Sequence, residues 1–225
     1  MPVHILSNKI SFPPVEDARK DGLLAVGGDL STKRIIYAYK RAIFPWFSVG
    51  DPILWWSPDP RLVMFPDEFK PSRSLRQVIN RGVFTVTFDT DFSAVINACA
   101  QARINKPDGT WLTEEMIEAY IALFDSGYAH SVECRQEGEL AGGLYGLSIG
   151  KMFFGESMFT KKTNASKVAF AFLVEKLIEL GFHLIDCQVR TEHLISMGAR
   201  EISRKEFLAI LKKAVEVPPV KIKWQ

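Results

Sequence analysis

The chain has 225 residues, 47% hydrophobic and 24% charged, with a formal net charge of +2; that balance excludes disordered, collagen-like and coiled-coil proteins. A chain of this length holds one large domain or a small one beside a domain of roughly 100–150 residues, and the expected division is a small aromatic-rich domain over 1–66 and a larger one over 67–225. No apolar run approaches the roughly 18 residues of a membrane span, and Met1-Pro2-Val3-His4-Ile5 lacks a signal-peptide pattern, so the expectation is a cytoplasmic protein with no membrane partner.

Residues 1–65 are interrupted by Pro13-Pro14, Gly27-Gly28, Pro45, Pro52, Pro58 and Pro60, which predicts an irregular segment. Its one clear helix starts after Ser31, with Ile35, Ile36, Tyr39 and Ile43 at helical spacing. Phe44, Trp46, Phe47, Trp55 and Trp56 then crowd together, either to fill a small core or to leave one ring exposed for stacking on a base. A linker around Pro66 and Pro71 leads into a short basic helix with Arg73, Arg76 and Arg81.

Beyond it the pattern becomes regular. A strand is predicted at Val83–Phe88, a helix at Asp91–Arg103, and a second helix at Thr113–Ser126, capped by Thr113 and stopped by Gly127. Strands at His130–Arg135, Leu140–Ile149 and Met152–Thr160 are joined by turns so tight that neighbours must be antiparallel. A helix from about Ala165 to Leu180, a strand at Leu184–Val189, a short helix near His193 and a last helix after Ser203 complete the chain. The fold class is therefore α+β, a mixed, mainly antiparallel sheet flanked by helices, and the order β-α-α-β-β-β-α-β-α resembles the GNAT acyltransferase superfold.

Cys99, Cys134 and Cys187 are widely spaced and odd in number, which argues for reduced thiols rather than a disulfide framework. His4, His130, His183 and His193 show no ligand spacing, so no metal is expected. Gly146–Lys151 has too few residues between its glycines for a P-loop and reads as a hairpin. In Gly155-Glu156-Ser157-Met158-Phe159, Phe159 stands where a nucleophile elbow needs its second glycine. Asn164-Ala165-Ser166 is a formal glycosylation sequon, better read as a helix cap. A CoA-dependent GNAT enzyme carries a glycine-rich pyrophosphate loop at a helix N-terminus, whereas Lys161–Lys167 contains no glycine, which points to another acyl donor.

Two carboxylates stand out. Glu156 is mid-strand, and Asp186 lies in the apolar strand Leu184–Val189, where the two-residue period places Asp186 and Gln188 on one face and Ile185, Cys187 and Val189 on the other. A carboxylate on a central strand must be hydrogen-bonded or work in a cleft; spacing alone leaves both readings open.

Six stretches together resemble the leucyl/phenylalanyl-tRNA-protein transferase family: Gly22–Leu30, Ile43–Phe47, Leu54–Arg61, Gly155–Phe159, Asn164–Lys167 and Ile185–Gln188. The resemblance implies transfer of Leu or Phe, and also Met, from aminoacyl-tRNA to the α-amino group of proteins beginning with Arg or Lys. That marks them for degradation through the bacterial N-degron pathway. It implies no cofactor, and the protein is expected to work as a monomer.

The family further implies that Asp186 and Gln188 form the reaction centre. Asp186 would accept the amine's proton or fix Gln188, Gln188 would orient the amine or stabilise developing charge, and Glu156 would attract the cationic N-terminus or anchor the donor's amino group. The aminoacyl side chain would enter a pocket walled by Leu144, Phe153, Phe170, Leu173, Leu177 and Ile185; Phe170, Leu173 and Leu177 are equally spaced as a helix core face. Trp46 and Trp111 would stack on the 3′ adenosine, with Arg41, Arg73, Arg76 and Arg81 on the phosphates. Residues 1–82 hold 12 Lys and Arg against 8 Asp and Glu, an excess also found on ordinary solvated surfaces. The alternatives are a CoA-dependent GNAT acetyltransferase and a non-catalytic RNA-binding module.

Overall fold

A computed structural model of the chain describes residues 3–104, 110–217 and 224. The first part carries β1 (His4–Leu6), β2 (Leu23–Gly27), α1 (Thr32–Tyr39), β3 (Phe44–Pro45), β4 (Leu54–Trp56) and β5 (Arg61–Met64). Next come α2 (Arg73–Asn80), β6 (Thr85–Phe88), α3 (Phe92–Ile104), α4 (Glu114–Asp125), β7 (Ala129–Gln136), β8 (Glu139–Ile149) and β9 (Met152–Thr160). The rest is α5 (Ala165–Glu179), β10 (Leu184–Gln188), α6 (Glu192–Ser196), β11 (Arg200–Ile202) and α7 (Arg204–Val215).

Local chemistry sets the helix starts. Ser31, Ser72, Thr113, Thr191 and Ser203 each accept a bond from a first-turn amide, at Arg34, Leu75, Met116, Leu194 and Glu206, relieving one of the orphan donors there. Asn164 is a correction: it occupies the N-cap of α5 in a left-handed conformation (φ 72°) and its side chain makes no cap bond. Helix α1 ends at Tyr39, and the positive φ of Ala42 (64°) turns the chain away. Ile43 therefore lies beyond the helix its spacing suggested.

The strands form two sheets. The smaller has the order β1-β2-β4-β3 and the larger the order β11-β5-β10-β9-β8-β7-β6. In the larger sheet β9 and β10 are parallel and every other neighbouring pair is antiparallel. Strand β5 precedes the division expected after residue 66, yet it is inserted between β10 and β11. The sequence boundary is therefore late by one strand, because Pro58, Pro60 and Pro66 hide the four residues Arg-Leu-Val-Met among chain breaks.

Alternate residues of the central strands feed two cores. Val63, Tyr145, Met152, Phe154 and Leu184 join α1, α3, α4, α7 and the small sheet. Leu62, Met64, Leu144, Phe153 and Ile185 join α2 and α5, as a sheet covered on both faces requires. The aromatic run divides: Phe44, Phe47 and Trp55 are buried, and Trp46 is 42% exposed. Cys99, Cys134 and Cys187 are free and buried, and burial raises all three thiol pKa values. Among the described residues no helix is long and apolar enough to cross a membrane, and no three His, Cys, Asp or Glu side chains gather as a metal site.

Candidate active site

The site lies where β9 and β10 part. Their parallel pairing runs from Leu184–Met152 to Asp186–Phe154 and stops. Both strands are irregular just beyond. In β9 the register against β8 shifts between Gly155 and Ser157, leaving Glu156 as the extra residue, and in β10 the register against β5 shifts between Asp186 and Gln188. Bulges bend a strand and re-aim its side chains, and here two of them face one another.

Asp186 is fully buried and fully engaged. Its Oδ1 accepts from Arg61 Nε at 2.8 Å and from the Gln188 backbone amide at 2.9 Å, and its Oδ2 accepts from Arg61 Nη2 at 2.6 Å. Arg61 is 1% exposed, and its guanidinium lies over the Phe44 and Phe207 rings. A two-point guanidinium–carboxylate pair fixes orientation as well as charge. Buried and bonded at both oxygens, the Asp186 carboxylate is held in one orientation, and its bond to the Gln188 amide ties the two residues together.

Gln188 has a positive φ of 57°, an uncommon state for a side-chain-bearing residue and one that persists only where surroundings enforce it. The Asp186 bond supplies that enforcement. The expected alternation of faces holds through Gln188: Ile185 and Cys187 join the α2–α5 core, while Asp186 and Gln188 turn to the opposite face, where Gln188 Nε2 donates to Glu156 Oε1 at 3.3 Å. The remaining partners of Glu156 are two tyrosines: Tyr39 Oη lies at hydrogen-bond distance from Oε1 and Tyr120 Oη from Oε2, each at 2.8 Å. Burial pushes the Glu156 carboxyl up to about 8 against the pull of these hydroxyls, with the Asp186 charge adding to the rise. That value lies close to the pKa of a free α-amino group.

Arg61, Tyr39 and Tyr120 were not singled out by sequence. Tyr39 and Tyr120 read as apolar members of helix faces, and the available signal was that a buried tyrosine hydroxyl needs a partner.

The six residues expected to wall a side-chain pocket, Leu144, Phe153, Phe170, Leu173, Leu177 and Ile185, are gathered in the α2–α5 core and are each at most 3% exposed. Tyr39, Tyr120 and Phe154 belong to the opposite core. Gly155 lies between them, where an added Cβ would stand in ordinary contact with Asp186 O at 3.7 Å. Trp111 is 8% exposed and packs edge-on against Tyr120 at 6.3 Å. Trp46 stands 5.7 Å from Trp56. Arg73, Arg76 and Arg81 are exposed at α2, and exposed Arg41 folds over Tyr37.

In the turn before α5, Lys161 N and Lys162 N both donate to Ala141 O, at 2.7 and 3.1 Å, and Gly142 lies so close to α5 that a Cβ there would stand 2.9 Å from Ser166 N.

Fold and site together define an α+β protein with its polar centre between two parting strands. The sequence profile described as leucyl/phenylalanyl-tRNA protein transferase matches residues 63–212, and that of its N-terminal domain matches residues 28–59. The chain belongs to the leucyl/phenylalanyl-tRNA protein transferase family. It is 55% identical over 224 residues to the leucyl/phenylalanyl-tRNA–protein transferase of Desulforapulum autotrophicum, covering 100% of this chain and 98% of that one. It is 58% identical over 213 residues to the enzyme of that name from Pseudomonas fluorescens, covering 94% of each. Among solved structures, a GCN5-related N-acetyltransferase from Kribbella flavida matches at 11% identity and a TM-score of 0.38, over 74% of this chain and 59% of that one. A ribosomal-protein-alanine N-acetyltransferase from Brucella melitensis matches at 14% and 0.33, over 44% and 74%. Both likenesses are too loose to carry an argument.

Proposed function

We propose that this chain transfers Leu or Phe, and also Met, from aminoacyl-tRNA to the α-amino group of proteins that begin with Arg or Lys, marking them for the bacterial N-degron pathway. It acts as a cytoplasmic monomer. The observation that carries this reading is Gln188, held in a left-handed conformation by Asp186 with its amide directed at Glu156, beside an apolar core that suits Leu and Phe side chains.

An aminoacyl ester is already activated, so the protein's task is to hold ester and amine in register and to move one proton. Arg61 fixes Asp186, Asp186 fixes Gln188, and the Gln188 amide orients the amine or meets the developing oxyanion. The aminoacyl side chain is received among Leu144, Phe153, Phe170, Leu173, Leu177 and Ile185, which must part to admit it. Of the two tryptophans proposed for the 3′ adenosine, Trp46 offers an exposed face, and Trp111 borders the site through Tyr120. The glycine-free stretch before α5 argues against CoA as the donor.

Arg41, Arg73, Arg76 and Arg81 are proposed to meet acceptor-stem phosphates. Each neutralised phosphate releases counterions, so affinity for the whole tRNA falls with salt. In a paired salt titration, transfer from full-length charged tRNA is expected to weaken steeply with salt, and less steeply in the Arg73→Ala/Arg76→Ala/Arg81→Ala protein. A minimal aminoacyl-adenosine donor is expected to show little slope with either protein. Equal slopes for the two donors would reduce these arginines to a solvated surface.

A further inference from the structure

Three short oxygen contacts join Glu156, Tyr39 and Tyr120 in a closed triangle. Tyr39 Oη lies 2.8 Å from Oε1, Tyr120 Oη lies 2.8 Å from Oε2, and the two phenol oxygens are only 2.7 Å apart. Each is a hydrogen-bond length, and each needs its own proton. Two neutral tyrosines supply two. With an ionised Glu156 both phenol protons point at the carboxylate, leaving the Tyr39–Tyr120 contact with two oxygens and nothing between them. A protonated Glu156 supplies the third. Its Oε1–H then donates to Tyr39, Tyr39 donates to Tyr120, and Tyr120 donates to Oε2, which closes a ring in which every hydroxyl both gives and receives. Gln188 Nε2 remains free to donate to an Oε1 lone pair.

The surroundings favour the neutral ring. Tyr39 and Tyr120 are fully buried, which disfavours any added charge. From β10, Asp186 faces the carboxyl with a negative charge that Arg61 of β5 already holds. From β8, Tyr145 packs edge-on to Tyr120 at 5.6 Å, with its own hydroxyl buried and without a hydrogen-bond partner among the described residues. Lys and Arg supply no direct bond to Glu156 among the described residues.

Resting on the proposed aminoacyl transfer, we propose that Glu156, Tyr39 and Tyr120 form a closed three-proton ring with the carboxyl neutral at rest, and that this ring carries the one proton the reaction moves. The neutral amine's lone pair forms the C–N bond. The ester C–O bond breaks, with its electron pair leaving on the ribose oxygen. Glu156 gives that oxygen a proton, and the amine nitrogen returns one to the carboxyl. The ring ends as it began, with no net charge made in its interior. Glu156 thus meets the protein N-terminus as an acid–base partner of an uncharged amine, and the ionic attraction expected of it from sequence has no part in the step.

Infrared spectroscopy reads the ring directly, without any substrate. The carbonyl stretch of a protonated carboxylic acid is expected at neutral pH, where an ordinary glutamate is ionised. It should be missing in Glu156→Gln and should disappear from the wild type with a midpoint near about 8. A wild-type protein with no such band at neutral pH overturns the ring, whatever its activity. The relay is read separately: Tyr39→Phe, Tyr120→Phe and the double variant each open the same ring, so each is expected to lower kcat by about 10²-fold, with the double no worse than either single. Single variants that keep the wild-type kcat while the band is present overturn the relay. A folded wild type that shows the band and transfers no amino acid overturns the function it rests on, and leaves the ring standing.

Discussion

Asp186→Asn is expected to lower kcat/KM by about 10²-fold or more and to cost the fold about 3–5 kcal/mol. Both effects follow from one contact. Asn keeps the shape of Asp and an oxygen for the Gln188 amide, but it removes the charge that balances Arg61, which is 1% exposed and hydrogen-bonds no second carboxylate among the described residues. An uncompensated buried cation is far costlier than the net worth of the pair. Denaturant unfolding reads the stability, and steady-state kinetics on refolded protein read the activity. The double variant Arg61→Met/Asp186→Leu removes both charges and is expected to regain most of the lost stability while staying inactive, because Gln188 has lost its anchor. If Asp186→Asn is as stable as the wild type and as active, the ion pair neither supports the strand nor positions the site.

Gln188 is expected to show an equally large loss in activity with a different signature in stability. Gln188→Ala and Gln188→Gly both remove the amide that reaches Glu156, and each is expected to lower kcat/KM by roughly 10²–10³-fold, the range for removing one positioned donor. The backbone there sits at φ 57°, a conformation that costs an L-residue about 1–2 kcal/mol and costs glycine almost nothing. The Gly variant is therefore expected to unfold at higher denaturant concentration than the Ala variant, although neither transfers efficiently. Equal stability of the two would show that Asp186 does not hold strain at this position, and near-wild-type activity of either would take the amide out of the reaction.

The regular part of the fold was legible because its signals are local. Thr113 and Ser203 cap where their spacing said, and β7 to β9 follow from tight turns between long strands. Strand β5 was hidden, because four residues between prolines carry no period of their own and acquire strand geometry only by entering the gap between β10 and β11. The same holds for the site. Asp186, Gln188 and Glu156 could be singled out as polar residues in apolar strands, but the partner that decides what Asp186 does, Arg61, is 125 residues away in sequence. Tyr39 and Tyr120 are 81 residues apart and meet only when α1 and α4 pack on the same core. The two bulges that bring Glu156 and Gln188 into contact leave no mark in a pattern of alternating side chains. Asn164 shows the opposite failure: a good capping residue in the right place whose left-handed backbone leaves its side chain without a cap bond.

The most direct test of the central claim is product formation. The purified wild-type chain is incubated with tRNA charged with labelled leucine and with two peptides that differ only in their first residue, Arg or Ser, beside a parallel reaction in which acetyl-CoA replaces the charged tRNA. Mass spectrometry is expected to show one added leucine at the N-terminus of the Arg peptide, none on the Ser peptide, and no acetylation of either. Acetylated peptide, or an Arg peptide that stays unmodified while the charged tRNA remains intact, would contradict aminoacyl transfer as the function of this site.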